Sequence, residues 1–374
     1  MRRLVSCLSP FAGIVFMSLC SPALAATQNF QTPGSHSFTV PAGVTSLQVE
    51  VAGAGGGAGS GASVPAGFGM PAELVGRYPG GNGGSGARVM ATVAVTPGDV
   101  INMIVADSGK GGTLHFYGAP TGSGAGGAGS GSGGATTNAV NADATDHSLS
   151  GGGGGGASML SVAGTYIRAG GGGGGGGMFR SQATFSHGEP GAAGLQPAAS
   201  TPNCATPANG QPGTGSAMAL DNNSPPPGHG YYRTGSGGGG GGGYSGQAGA
   251  GGQTPGMIFG ASPSGLPVVE FAPTGGGGGG SCTFVGGTRT LTNASSDSQG
   301  GAGGIADPAP ISTFDTLIAD APLPAPINGT AGWIRLTFSE PVAARPVPGL
   351  QPWAVAALAA ILFIGFTVSG RRRR

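Results

Sequence analysis

Gly53-Ala54-Gly55-Gly56-Gly57-Ala58 follows an alternating apolar run and fits G-x-G-x-x-A, the turn that brings backbone close to a dinucleotide pyrophosphate. Glu73 stands at about the distance where a ribose-binding acid is expected. That chemistry needs a helix to begin at the glycines, and Gly59-Ser60-Gly61-Ala62-Ser63-Val64-Pro65 does not begin one. In a chain with 85 glycines the pattern arises by composition alone. Ser108-Gly109-Lys110-Gly111 holds the only lysine but lacks the upstream glycine and the following Ser or Thr of a phosphate loop, so it reads as a turn. No G-x-S-x-G nucleophile elbow occurs. The histidines (His36, His115, His147, His187 and His229) have none of the short spacings of metal ligands, and Asp143 and Asp146 share a polar stretch with no partner in sequence. These residues predict a protein that is not an enzyme, with no catalytic, cofactor-binding or metal-binding residues.

The elements that would position any chemistry are strands. Leu47, Val49 and Val51 alternate with Gln48 and Glu50 across Ser46 to Ala52, which predicts a strand with one buried face. Ala87 to Val95 places Val89, Ala91, Val93 and Val95 on one face. The turn Thr96-Pro97-Gly98-Asp99 then leads to Val100 through Ala106, a pattern that reads as a hairpin. Ala157 to Val162 and Thr165 to Ala169 flank Ala163-Gly164 as a second pair, and Ile334, Leu336 and Phe338 mark a last strand from Trp333. Nothing outside the two termini looks helical, so the fold class expected is all-β, a β-sandwich.

Four uninterrupted glycine runs, Gly151 to Gly156, Gly170 to Gly177, Gly237 to Gly243 and Gly275 to Gly280, separate these strands. In a polyproline-II-type helix at ~3.1 Å per residue they would form rods of about one strand length. Such helices have no internal hydrogen bonds, so they must bond to neighbouring helices, and only a residue without Cβ lets backbones approach that far. Flexible linkers would have the same composition. The reading adopted is a polyglycine-II helix bundle inserted in the sandwich, with Gly118 to Thr145 and Pro190 to Pro227 as long glycine-rich loops.

The two ends predict export and anchoring. Met1-Arg2-Arg3, an uncharged apolar stretch and Ala23-Leu24-Ala25 make residues 1–25 a signal peptide cut after Ala25, with Ala23 and Ala25 as the small-residue cleavage signal. Residues 26–340 are the exported glycine-rich domain and 341–352 a linker with a sorting motif. An uncharged span over 353–370, just long enough to cross a bilayer as one transmembrane helix, precedes the cytoplasmic arginines 371–374. Of 15 basic residues, Arg2, Arg3 and Arg371 to Arg374 lie at the ends, so nine face 14 acids between them and the exported part has net charge −5. That charge disfavours nucleic acid as a partner. Cys204 and Cys282 are the cysteines left after the leader; an oxidising compartment permits them to pair, and their spacing does not require it.

Two resemblances follow from these residues. Val347-Pro348-Gly349-Leu350-Gln351-Pro352-Trp353, the apolar span and the arginine cluster resemble IPTL-CTERM sorting signals, with Val347 and Gly349 in place of the usual Ile and Thr. The resemblance implies Val347, Pro348, Gly349, Leu350 and Trp353 as the sorting motif, a processing protease of the exosortase type as a partner, and a Gram-negative envelope protein linked with biofilm matrix. Phe30 to Val44, then Leu47 to Val51 and Gly53 to Gly57, together with Thr96 to Ile101, Ile167-Arg168-Ala169 before a glycine run and Gly332 to Leu336, resemble bacterial and phage glycine-rich domains. In element order they are similar to the extracellular glycine-rich region of the anaplastic lymphoma kinase family. That resemblance implies a β-sandwich interrupted by polyglycine helices. It also implies surface placement, with a structural or adhesive role that contacts a surface or matrix ligand, or a receptor-like ligand-binding role.

Overall fold

The computed structural model describes residues 24–60, 62–64, 76–78, 80–112, 114–115, 124–136, 148–177, 179–180, 185–186, 192, 194, 202–213, 234–235, 237–253, 274–287, 289–306 and 327–340. The chain divides into a compact unit, Ala26–Phe338, and a second made of Met1–Ala25 and Ser339–Arg374. The sorting motif Val347 to Trp353, the span 353–370, the arginines 371–374 and Ala23 lie outside the described residues. Among the described residues no helix is long and apolar enough to cross a membrane.

The protein is all-β. Ten strands make two five-stranded sheets: β1 (Leu24–Phe30), β2 (Gly34–Thr39), β3 (Ser46–Ala52), β4 (Arg88–Ala94), β5 (Val100–Val105), β6 (Ser158–Val162), β7 (Thr165–Ala169), β8 (Cys282–Val285), β9 (Leu291–Asp297) and β10 (Trp333–Glu340). One sheet runs β1-β10-β3-β4-β9 and the other β8-β7-β6-β5-β2. Apolar residues from both sheets enter a single core. Leu47, Val49, Val51, Val89, Val93, Ile334 and Leu336 of the first meet Ile101, Met103, Val105, Leu160, Val162 and Ile167 of the second. Alternation positions them, because a period of two sends every second side chain to one face.

The expected hairpin between β4 and β5 does not form. Strand β4 pairs with β3 and β9, whereas β5 pairs with β2 and β6, so the turn carries the chain from one sheet to the other. The two apolar faces then meet across the core. Asp99 shapes the turn: its carboxylate accepts from the Thr96 amide at 2.7 Å, its amide donates to the Thr96 carbonyl at 3.0 Å, and Gly98 has φ +88°. The pair β6–β7 is a two-residue hairpin as read, with Val162 opposite Thr165 and positive φ at both Ala163 and Gly164. Strands β1, β2, β8 and β9 had no alternation strong enough to announce them. Three of these, β1, β2 and β9, stand at sheet edges with mostly exposed side chains, and β9 carries a register shift between Thr292 and Ser295 with Asn293 at φ 53°.

Candidate functional site

Eight strands continue directly into glycine-rich segments. Strands β3, β5, β7 and β9 run out into 53–60, 106–112, 170–177 and 300–306, while 80–87, 150–157, 274–281 and 327–332 lead into β4, β6, β8 and β10. The connections between these segments therefore begin and end on the side of the segments away from the sheets. The order of strands is kept. Next to the second sheet, 274–281, 170–177, 150–157 and 106–112 bond in the order β8-β7-β6-β5, through Gly276 N to Gly174 O at 2.8 Å, Gly155 N to Gly172 O at 2.8 Å and Gly153 N to Lys110 O at 2.8 Å.

Segment 53–60 sits at the centre, and its bonding repeats every third residue. Amides 53, 56 and 59 donate to carbonyls 87, 84 and 81; amides 54, 57 and 60 to 156, 153 and 150; amides 55 and 58 to 330 and 327. Its carbonyls accept in the same rhythm: 53 and 56 from amides 301 and 304, 54 and 57 from 172 and 175, 55 and 58 from 109 and 112. The falling numbers mark three antiparallel neighbours and the rising numbers three parallel ones. The six neighbours also bond to one another in a closed ring, which the strands beyond them do not: Thr330 N reaches Ala302 O at 2.8 Å, although β10 and β9 are at different places in the sheet. All backbone groups of Gly53 to Ala58 are thereby used, so the G-x-G-x-x-A stretch has no amide left for a phosphate and starts no helix.

At most glycine positions of this arrangement a side chain is excluded. A Cβ on Gly56 would stand 2.0 Å from Gly173 O, on Gly154 2.0 Å from Gly240 O, and on Gly174 1.9 Å from Gly152 O. All four uninterrupted runs belong to the network, but so do stretches read as loops. Gly127 N donates to Gly154 O at 2.8 Å, Gly134 N to Gly240 O at 2.7 Å and Gly210 N to Ser132 O at 2.8 Å, which corrects that reading for 124–136 and 202–213. The signal that marks them is glycine at the inward positions with small or polar residues at every third, outward one.

Segments 209–213, 237–243 and 247–253 continue no strand of the two five-stranded sheets, and a buried clamp ties them to the second sheet. Cys204 and Cys282 are joined as a disulfide, with Cα atoms 5.6 Å apart, beside Tyr244, Tyr166 and Phe284. Arg168, 1% exposed, donates from Nη1 to Thr206 O at 2.8 Å and to Gly243 O at 3.4 Å, and Nη2 lies 3.2 Å from Met159 Sδ. Among the described residues no carboxylate pairs with it, and burial pushes its pKa down to about 10. The guanidinium thus fixes two chain ends through their carbonyls. Pro207–Ala208 pairs with Gly243–Tyr244 above it. Sequence reasoning used Arg168 only as a landmark before a glycine run; its role depends on carbonyls distant in sequence.

The outer face of the first sheet carries a row of charge. Asn29 accepts from Arg335 Nε at 3.0 Å, Arg335 lies 3.6 Å from Glu50 and 5.1 Å over the Trp333 ring, Glu50 lies 4.0 Å from Arg88, and Arg88 pairs with Asp297. The Arg88 hydrogen bond holds the Asp297 carboxyl below its usual range. These are half-exposed pairs that brace the strands. Lys110 pairs with Asp107 at 3.2 Å along the same glycine segment, in an ordinary ion pair rather than a phosphate site. Ala25 lies in β1. Glu73, Asp143, Asp146, His147, His187 and His229 lie outside the described residues, and among those described no group of His, Cys, Asp and Glu could hold a metal ion. Compared with protein-family models and with curated proteins, the chain finds no match.

Proposed function

We propose that this chain is an exported, non-enzymatic envelope protein with a structural or adhesive role: a β-sandwich that carries a bundle of polyglycine-II helices out from one end. The observation that carries this reading is the three-residue repeat of hydrogen bonds around segment 53–60, the repeat of a helix with three residues per turn. A protein built this way spends backbone on rigidity and leaves its side chains for the outside, which suits display at a surface. The leader 1–25, the linker and sorting motif of 341–352, the span 353–370 and the arginines 371–374 supply its route and its membrane anchor. A processing protease of the exosortase type acts at Val347 to Leu350 under this reading, and the acidic exported part makes nucleic acid an unfavourable partner.

The receptor-like alternative draws on one observation, that segments such as 53–60 and 80–87 leave and re-enter the network at the ends away from their strands, which is where a recognition surface would be built under this reading. Deleting the gene distinguishes the two. Structural or adhesive function predicts altered cell aggregation or surface attachment with unchanged growth. Unchanged attachment with loss of one specific response would favour the receptor. Replacing Val347-Pro348-Gly349-Leu350 by alanines is expected to leave membrane insertion intact and stop release; equal release from the variant would reduce the tail to a plain anchor.

A further inference from the structure

Segment 124–130 lies at the rim of the network and shows its three faces in turn. Gly124 and Gly127 face inward, where a Cβ would meet Gly151 O at 2.5 Å and Asp107 O at 2.0 Å. Gly126 faces the neighbouring segment, where a Cβ would meet Gly133 O at 1.9 Å. Ala125 and Ala128 face solvent, as does Ala135 on the next segment. The carbonyls of Ala125 and Ala128 accept from Lys110 and Asp107, but their amides donate to no backbone carbonyl among the described residues. Among the described residues the rim is therefore an edge, the counterpart of an edge strand, with the amides of Ala125 and Ala128 donating to no neighbouring segment. On other segments Asn82, Ala250 and Ala302 are likewise exposed, while the glycines of 80–87, 247–253 and 300–306 are buried or half-buried.

We propose that this outward row of side chains is a guard against a second copy of the same chain, which would otherwise add its own rim to the network. A neighbour at the spacing used inside the bundle would place a carbonyl oxygen about where the interior values put it, near 2.0 Å from an outward Cβ. One methyl group at every third position is enough to forbid that approach. Removing the methyls from the rim of two copies lets their edges bond as a two-fold pair, each offering the same row. Lateral growth is thus closed by Ala125, Ala128 and Ala135, and the protein stays a single bundle. The inference rests on the hydrogen-bonded network and is independent of export or adhesion.

The test is sedimentation of the purified full chain, with neutral detergent present, over a concentration series. The variant Ala125→Gly/Ala128→Gly/Ala135→Gly should dimerise at least about tenfold more tightly than the unaltered chain. Serine at the same positions should leave the behaviour unchanged. Hydrogen exchange checks that segment 124–136 keeps its protection; should the triple variant lose it, Ala302→Gly on the opposite rim reads the same effect. A glycine variant that keeps its protection and sediments as the unaltered chain does would overturn the proposal, as would dimerisation of the serine variant.

Discussion

The two sheets and the glycine network use the same backbone hydrogen bond and differ in what fills the remaining directions. A strand such as β3 bonds to two neighbours in a plane, and Leu47, Val49 and Val51 fill the space beneath it. Its continuation, 53–60, bonds to six neighbours all round, and backbone occupies the places where side chains would stand. Order in the sheets comes from burying apolar surface, which tolerates changes of shape. In the network it comes from spacing, which tolerates no added carbon at glycines such as Gly56, although Ala54 and Ala58 of the same segment are buried in it. The strands set that spacing, since each delivers its segment beside the same neighbours it has in the sheet.

The largest expected effect adds one methyl group at the centre. Gly56→Ala puts a Cβ 2.0 Å from Gly173 O, and segments 53–60 and 170–177 must part to admit it, at a cost of more than about 4 kcal/mol in thermal or denaturant unfolding. A variant as stable as the parent would end the claim that spacing holds the network. Next comes the clamp. Replacing Cys204 and Cys282 by serine should cost about 4 kcal/mol and selectively raise hydrogen exchange in 202–213 and 237–253, because no strand of the two five-stranded sheets feeds those segments. Uniform loss of protection, centre included, would mean that the peripheral segments are not a separate layer.

Removing side-chain volume is the opposite operation and belongs to the sheets. Leu336→Ala should cost about 3 kcal/mol through the cavity it leaves in the shared core, with segment 53–60 still protected in conditions where the sandwich survives. The smallest effect is electrostatic. The Asp297 carboxyl is held below its ordinary pKa by Arg88, so its contribution is fully present above the unfolded value near ~3.9 and disappears as pH falls through the folded one. The group is partly exposed, so Asp297→Asn should cost below about 1 kcal/mol at neutral pH and flatten the acid limb of the stability profile.

The sheets were legible where burial imposed a period of two, in β3, β4, β5, β6, β7 and β10. Their edges were not. Leu291–Asp297 has hydrophilic residues on a mostly exposed face and a bulge at Asn293, so no alternation survives there. The turn after β4 was legible as a turn, but partner choice depends on which strands already occupy each edge. In the network, the unbroken glycine runs announced 151–156, 170–177 and 237–243, which are buried throughout, and 275–280, which is partly so. Rim segments such as 124–136 carry a side chain on their outward third position, which made them look like linkers. Cysteine usage permitted the pairing of Cys204 with Cys282 without requiring it, and nothing in the sequence marked Arg168 as buried, because both contacts depend on segments distant in sequence that the folded network brings together.

Hydrogen exchange of the full chain, read at the amides of 53–60 and compared with those of β3, tests the account most directly. Protection of the segment equal to that of the strand is the expected result, since every amide from Gly53 to Ser60 is bonded and the two are one continuous piece of structure. Complete exchange of 53–60 at the earliest time, with β3 still protected, would contradict it and leave a sandwich carrying unstructured glycine tethers.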